Sequence, residues 1–291
     1  GAALSAVGLA VAGGALNSEA PLPAAVLAAD RWAVITGASS GIGAEVARAC
    51  ARRGLSVVLV ARRRAPLEEL AAEIRSALYP NVRAEVVAQD LSVPGGAEAT
   101  ASAVVALRCK VELFVAGAGR AWSGSLVQQP RGILSEMLAV NVGSTAALCS
   151  LFGALMAKDK RGRILLVGSV SGTAPGVPGA SAYAGTKAFI RSFAAGLRGE
   201  LRPAGVGVTC LMPGATDSGF ASVAGMERAL CFNLPFAREL GIVSSASSVA
   251  EAGVDAALRG DAECVPGLLN SAFAALPGWK REKAKKAHGL F

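Results

Sequence analysis

The chain has 291 residues, 53% of them hydrophobic, with 29 Lys and Arg against 21 Asp and Glu for a formal charge of +8. That length and composition suit one large α/β domain with a sizeable buried core. The single histidine, His288, excludes histidine-based zinc sites and Ser-His-Asp hydrolysis, and no metal centre is expected.

Residues 1–30 contain no Lys or Arg, and the run 2–16, "AALSAVGLAVAGGAL", is apolar. It reads as a targeting remnant or a thin membrane anchor, although Gly8, Gly13 and Gly14 weaken a helix there and a basic flank is absent. From Trp32 onward, short β-type runs alternate with Ala-rich stretches of helical length. Strands are predicted at 32–36, 56–60, 83–88, 111–115, 163–167, 207–212 and 263–265. Helices are predicted at 43–53, closed by Gly54, at 66–78, opened by Pro66, and at 96–107, 130–156 with a break, 181–201 and 249–259. Near-continuous apolar strands separated by helices imply a doubly wound parallel α/β sheet of about seven strands, with helices on both faces.

The domain is expected over 31–270, followed by a tail, 271–291, that is apolar and then basic. Lys280, Arg281, Lys283, Lys285 and Lys286 against Glu282 put +4 of the charge into that tail, which suits either a solvated end or a peripheral membrane contact. Basic residues without interleaved aromatics do not make a nucleic-acid surface. Cys50, Cys109, Cys149, Cys210, Cys231 and Cys264 lack C-x-x-C spacing and mostly fall in apolar runs, as reduced core thiols of a reducing compartment, cytoplasmic or organellar, would.

Between the first strand and first helix stands "TGASSGIG", Thr36 to Gly43. Gly37, Gly41 and Gly43 permit a tight turn, close approach of backbone to a pyrophosphate, and an anion seated at a helix N-terminus. Farther on, "SAYAGTK" places Tyr183 and Lys187 four residues apart, on one face of a helix, so that their polar tips share one volume. An isolated pair of this kind is more often a chance surface pair. Here Ser169, in "LLVGSVSG" at the end of the fifth strand, lies at the sheet edge where open α/β folds bind ligands.

These motifs, in this order over about residues 31–270, resemble the short-chain dehydrogenase/reductase family, single-domain Rossmann oxidoreductases. The glycine spacing T-G-x-x-x-G-x-G, one residue longer than G-x-G-x-x-G, is part of the resemblance. The resemblance implies a catalytic tetrad of Asn141 (in "LAVNVGS"), Ser169, Tyr183 and Lys187. Ser171 is a rival to Ser169, and the family's serine-x-x-glycine pattern ending at Gly172 selects Ser169. The family uses the tyrosine as general acid/base in hydride transfer between a nicotinamide and a carbonyl or alcohol. Lys187 and the oxidised nicotinamide would lower the tyrosine pKa, Ser169 would bond the substrate oxygen, and Asn141 would hold a helix kink and a water.

The second strand ends "LVARRRAP", with Ala61, Arg62, Arg63 and Arg64 where NAD-preferring relatives place an acid. Guanidinium groups suit a 2'-phosphate, which favours NADP with Arg62 and Arg63 as contacts, the other reading being a solvated helix approach. The cofactor set expected is Thr36, Gly37, Ser39, Ser40, Gly41, Ile42, Gly43, Arg62, Arg63, Asp90, Ala118, Gly119, Asn141, Tyr183 and Lys187, with Pro213, Gly214, Thr216 and Ser218 from "MPGATDS". Asp90 reads equally well as a helix N-cap. Ala116 to Gly119, "AGAG", depart from the family's N-N-A-G and lose its amide side chains.

Residues 219–240, with Phe220, Met226, Leu230, Phe232, Leu234 and Phe236, form either an apolar substrate lid or a core-facing helix, and Trp122 would line the same pocket. A lid of this kind suits a lipophilic ketone or aldehyde. The alternative to an NADP-dependent carbonyl reductase or alcohol dehydrogenase is a non-catalytic NADP-binding sensor or scaffold. The resemblance also implies a homodimer or homotetramer through 141–156 and 181–201.

Overall fold

A computed structural model of the chain describes residues 31–76, 81–173, 176–220 and 243–275. The leader 1–30, all but the first two residues of the expected lid, and tail residues 276–291 lie outside the described residues.

The order of elements is β1 (Arg31–Thr36), α1 (Gly41–Arg52), β2 (Ser56–Ala61), α2 (Arg64–Arg75), β3 (Ala84–Ala88), α3 (Gly96–Ala106) and β4 (Lys110–Ala116). Then come α4 (Ile133–Leu138), a π-helical turn (Ala139–Ser144), α5 (Thr145–Lys158), β5 (Gly162–Val167), α6 (Ser181–Leu201) and β6 (Val206–Leu211). The described chain closes with two short paired strands, β7 (Thr216–Asp217) and β8 (Ser244–Ser245), then α7 (Ala246–Arg259), β9 (Glu263–Cys264) and α8 (Leu268–Ala275).

The main sheet has seven strands in the order β3-β2-β1-β4-β5-β6-β9, all parallel, as the apolar runs predicted. Its chain order reverses between β1 and β4, and a crevice opens at their carboxyl ends, the usual ligand position in such sheets. Alternating residues feed two cores. Ile35, Val57 and Leu59 pack under α1, α2 and α7, whereas Val34, Val58, Phe114 and Ile164 pack under α3, α5 and α6. Phe114 and Phe152 meet at 4.6 Å between ring centroids, and both are fully buried. Each such side chain stabilises the fold by about 1.5–3 kcal/mol relative to exposure.

The predicted stop at Gly54 is a left-handed residue (φ 78°) whose N–H donates to Ala51 O, while the Leu55 N–H reaches Cys50 O. These two bonds cap α1. Helix α2 begins at Arg64, two residues ahead of the predicted Pro66. Proline is tolerated there because first-turn N–H groups have no carbonyl partner to lose. The break predicted within 130–156 is a π turn inside a continuous helical run, in which the Ser144 hydroxyl donates to Val140 O at 2.8 Å and that of Thr145 at 3.3 Å. The run Ile133–Lys158 is long and apolar enough to cross a membrane by length and composition. Here Leu148, Cys149, Phe152 and Met156 bury one of its faces on the sheet.

Among the described residues all five cysteines are free thiols, with Cys50, Cys149 and Cys210 buried. Burial pushes each of those three up to about 12, so they are inert at neutral pH.

Candidate active site

The glycine turn packs directly on the loop after β4. Gly37 is left-handed (φ 74°), and a Cβ on it would stand 2.7 Å from the Gly117 oxygen and 2.8 Å from the Ala118 nitrogen. No side chain fits between the two loops. Thr36 does not face outward. Its hydroxyl, buried with the residue, donates to Val115 O at 3.1 Å and accepts from the N–H groups of Gly117 (3.1 Å) and Ala118 (3.2 Å). One hydroxyl thus ties β1 to the "AGAG" loop, which has no amide side chains of its own.

Helix α1 starts after Ser40 with no side-chain cap and no acid in its first turn. The N–H groups of Gly41, Ile42 and Gly43 therefore have no intrahelical acceptors and present a positive helix terminus. Ser39 lies beside this terminus and accepts from Arg63 Nη2 at 3.3 Å. The segment after β6 crosses it, since a Cβ on Gly41 would stand 2.8 Å from Ser218 O. In that segment Thr216 bonds Gly214 O at 3.0 Å, and Pro213 O accepts from Val170 N at 3.0 Å, holding the Ser169 loop. This donor set fits a bound anion such as a pyrophosphate. A cavity of about 450 Å³ along the outer flank of α1, lined by Ser39, Ser40, Arg48, Glu69 and Ser218, adjoins the turn and lies away from Tyr183.

At the ends of β2 and β3 stand Arg62, Arg63 and Asp90. Arg62 reaches across the crevice mouth to Glu136 on α4, with Nη1 2.8 Å from Oε1. Glu136 also holds Arg120 at 3.1 Å. Asp90 accepts from the N–H (2.8 Å) and hydroxyl (2.7 Å) of Ser92, and these bonds, with Arg62 as a lesser contributor, lower its pKa. It closes an Asx-type turn and is not the N-cap of α3, which is Gly95.

The tetrad meets where β5, α6 and the π turn converge. Tyr183, in the first turn of α6, is buried, and Ser169 makes a hydrogen bond to its phenol. Lys187, the next turn on, has its Nζ 5.7 Å from the Tyr183 ring centroid and donates to Val167 O at 2.7 Å. The Ser169 hydroxyl accepts from Ser171 N at 3.1 Å, so Ser171 contributes its backbone to holding Ser169 in place. A Cβ on Gly172 would stand 2.5 Å from the Lys187 carbonyl oxygen, which brings this loop hard against α6.

Asn141 is buried in the π turn and clamped. Its Nδ2 donates to Arg120 O (2.8 Å) and to Thr186 Oγ1 (3.0 Å), while its Oδ1 accepts from Arg120 N (2.8 Å). Thr186 in turn bonds Tyr183 O at 2.7 Å. Trp122, Met137 and Phe220 cluster with Tyr183, the last with its ring centroid 6.0 Å from that of the tyrosine.

The electrostatics differ from the expected lowering of the tyrosine pKa. Burial pushes the Tyr183 phenol up to about 12, with the Ser169 hydrogen bond pulling the other way. Burial also lowers Lys187 to about 8. Desolvation disfavours both charged forms, and it is the largest influence on each. The phenol is thus held as a proton donor.

Thr186, Arg120 and Glu136 support the site and were missed in the sequence. Thr186 carried a signal, standing three residues after Tyr183 on the same helix face. Glu136 carried none.

The pattern of the short chain dehydrogenase family matches residues 31–228. The very-long-chain 3-oxoacyl-CoA reductase of Pyricularia oryzae is 34% identical over 179 residues, 61% of this chain and 54% of that protein. The chain spans about half the length of the curated relatives it matches. Among solved structures, a short-chain dehydrogenase from Sphingobium yanoikuyae in complex with NADPH superposes with a TM-score of 0.73 at 30% identity, covering 88% of this chain and 94% of the other. The bulky-bulky ketone specific alcohol dehydrogenase from Comamonas testosteroni gives 0.69 at 28% identity, covering 89% and 92%. With the family pattern running through six of the seven strands of the sheet, the glycine turn and the Tyr183–Lys187 helix, the chain belongs to the short-chain dehydrogenase family.

Proposed function

We propose that the protein is an NADP-dependent oxidoreductase that interconverts a carbonyl and an alcohol on a lipophilic small molecule. The observation that carries this reading is the convergence of Ser169, Tyr183, Lys187 and Asn141 at the carboxyl edge of β5, beside a helix N-terminus free to take an anion. The bound dinucleotide would supply or accept the hydride; the remaining chemistry falls to the chain.

Tyr183, protonated by virtue of its burial, donates to the substrate oxygen as charge develops there. Ser169 shares a hydrogen bond with that phenol and is placed to bond the same oxygen. Lys187 carries a proton that titrates near neutrality, at about 8, and holds positive charge within one helical turn of the phenol. Asn141 fixes the π turn, and through Thr186 it fixes the first turns of α6.

Arg62 and Arg63 would hold the 2'-phosphate, and Ser39 to Gly43 the pyrophosphate. The NADPH complex of the Sphingobium relative supports this choice of cofactor. The substrate side, made by Trp122, Met137 and Phe220, is apolar. Together with the reductases of long acyl chains and the bulky-ketone dehydrogenase among the relatives, this supports a bulky ketone or 3-oxoacyl substrate.

The test is oxidation of NADPH and NADH by the purified chain against lipophilic ketones, aldehydes and 3-oxoacyl thioesters, with Tyr183→Phe as control. Turnover that prefers NADPH and disappears in the variant is the expected result. Tight NADPH binding without turnover, equal in both proteins, would turn the reading to a sensor or scaffold.

A further inference from the structure

Each crossover in this sheet begins a helix at the carboxyl ends of the strands and returns it to the amino ends. Helix C-termini and strand starts therefore share one edge, opposite the crevice. From β3 to β6 the positive side chains exposed on that edge include Arg83, Arg108, Lys110, Lys158, Lys160 and Arg202, against exposed Asp159 and Glu200. The carboxylate of Glu112 on the same edge is buried and already neutralised by Arg31 (2.9 Å) and Arg161 (3.0 Å). Across the five strand spacings from β3 to β6 the positive band is about 24 Å long.

Cations near helix C-termini complement the helix dipole, and this accounts for some of the pattern. It does not account for Arg108 and Lys160, both left-handed with φ 52°, at positions after α3 and α5 where glycine or asparagine is the unstrained choice. Nor does it account for Val105 and Leu107, which are 54% and 39% exposed in the same stretch as Arg108 and Lys110. The apolar segment 1–30 joins the fold at Arg31, on this same edge.

We propose that the amino-terminal edge of the sheet is a docking surface for an anionic lipid bilayer, which leaves the catalytic crevice facing water. Positive side chains beside exposed aliphatic ones are what a charged headgroup layer over an acyl interior accepts. A nucleic acid would call for stacking groups, and among the described residues of this edge no aromatic side chain is exposed.

The experiment is co-sedimentation of the full chain with phosphatidylcholine vesicles and with vesicles containing about one third phosphatidylserine, at low and high salt. Two variants are compared with it: Arg108→Gln/Lys110→Gln/Lys158→Gln/Lys160→Gln, and Lys283→Gln/Lys285→Gln/Lys286→Gln in the tail. The native chain and the tail variant should bind the anionic vesicles and be released by salt. At about five-fold per charge, the loss of four charges should lower partitioning of the edge variant by nearly three orders of magnitude, about 600-fold, while it unfolds at the native temperature. Equal sedimentation of native chain and edge variant, loss confined to the tail variant, or equal binding to neutral vesicles would overturn the proposal. So would duplex DNA binding tighter than vesicle binding at the same salt.

Discussion

Arg62 and Glu136 form an ion pair of 2.8 Å that joins the end of β2 to α4 across the mouth of the crevice. The pair spans the place where the adenosine end of a dinucleotide would lie. Its carboxylate competes for the guanidinium that would hold a 2'-phosphate, and it repels that phosphate directly. Arg62 is more than half exposed, so the pair itself is worth at most about 1 kcal/mol. Glu136→Gln should therefore tighten NADPH by up to about five-fold and leave NADH unchanged, read by fluorescence titration. Arg62→Ala should weaken NADPH alone. Equal changes for both cofactors in Glu136→Gln would show that the carboxylate acts on the crevice as a whole and does not compete with the phosphate.

Removing the phenol oxygen separates chemistry from binding. Tyr183→Phe should lower kcat by about 10²–10⁴-fold while the dissociation constant for NADPH stays within a factor of about two. Ser169→Ala removes the hydrogen bond that draws the phenol pKa down and should cost about 10²-fold in kcat, again with cofactor affinity preserved. A parallel loss of NADPH affinity in either variant would mean that the residue supports the cofactor pocket and not the proton transfer.

Much of this was legible in the sequence because it is local. Strand ends fall within about one residue of the apolar runs, since a parallel strand covered on both faces must be apolar throughout. Tyr183 and Lys187 announce themselves by helical spacing, and the glycine turn by its position between strand and helix. The clamp on Asn141 and the Arg62–Glu136 pair join residues 21 and 74 positions apart, and no periodicity encodes them. The π turn was visible only as a break, because the widened backbone turn, with the Ser144 and Thr145 hydroxyls turned back on Val140, has no periodicity of its own. The direction of the Tyr183 pKa shift depends on burial, which a sequence does not state.

The alkaline limb of activity should belong to Lys187. Its pKa, lowered to about 8 by burial, predicts that kcat/KM for NADPH falls above about pH 8, because that parameter reports the free enzyme. Tyr183, pushed up to about 12, remains protonated throughout that range and contributes no limb of its own. A flat profile to pH 9.5 in a stopped-flow or initial-rate series would contradict this assignment.

The same shift makes a statement about stability. A lysine whose folded pKa lies below its unfolded value of 10.5 binds fewer protons in the folded state between about pH 8 and 10.5, so its contribution to stability rises with pH across that window. Relative to Lys187→Met, the native protein should gain about 2 kcal/mol between pH 7.5 and 10 in urea unfolding. Tyr183 works in the opposite sense, losing stability as pH rises from 10 toward 12, but it is present in both proteins and cancels in the difference.

Asn141 and Thr186 hold the two halves of the site in register. Asn141→Ala would leave the part-buried Arg120 N–H and carbonyl without their partner and take from the Thr186 hydroxyl the bond it accepts, though not the one it donates to Tyr183 O, and should destabilise the fold by about 2–3 kcal/mol in addition to lowering activity. Thr186→Val conserves shape and removes only the bonds to Asn141 and to Tyr183 O. Because the Tyr183 carbonyl is also a helix acceptor, its loss of this second partner is mild. Thr186→Val should therefore cost no more than about 1.5 kcal/mol in stability but lower kcat several-fold, as Tyr183 gains freedom relative to Ser169. If Thr186→Val instead matched Asn141→Ala in stability loss with kcat intact, the clamp would be a packing device for α6, and the alignment of the phenol would have to come from Ser169 alone.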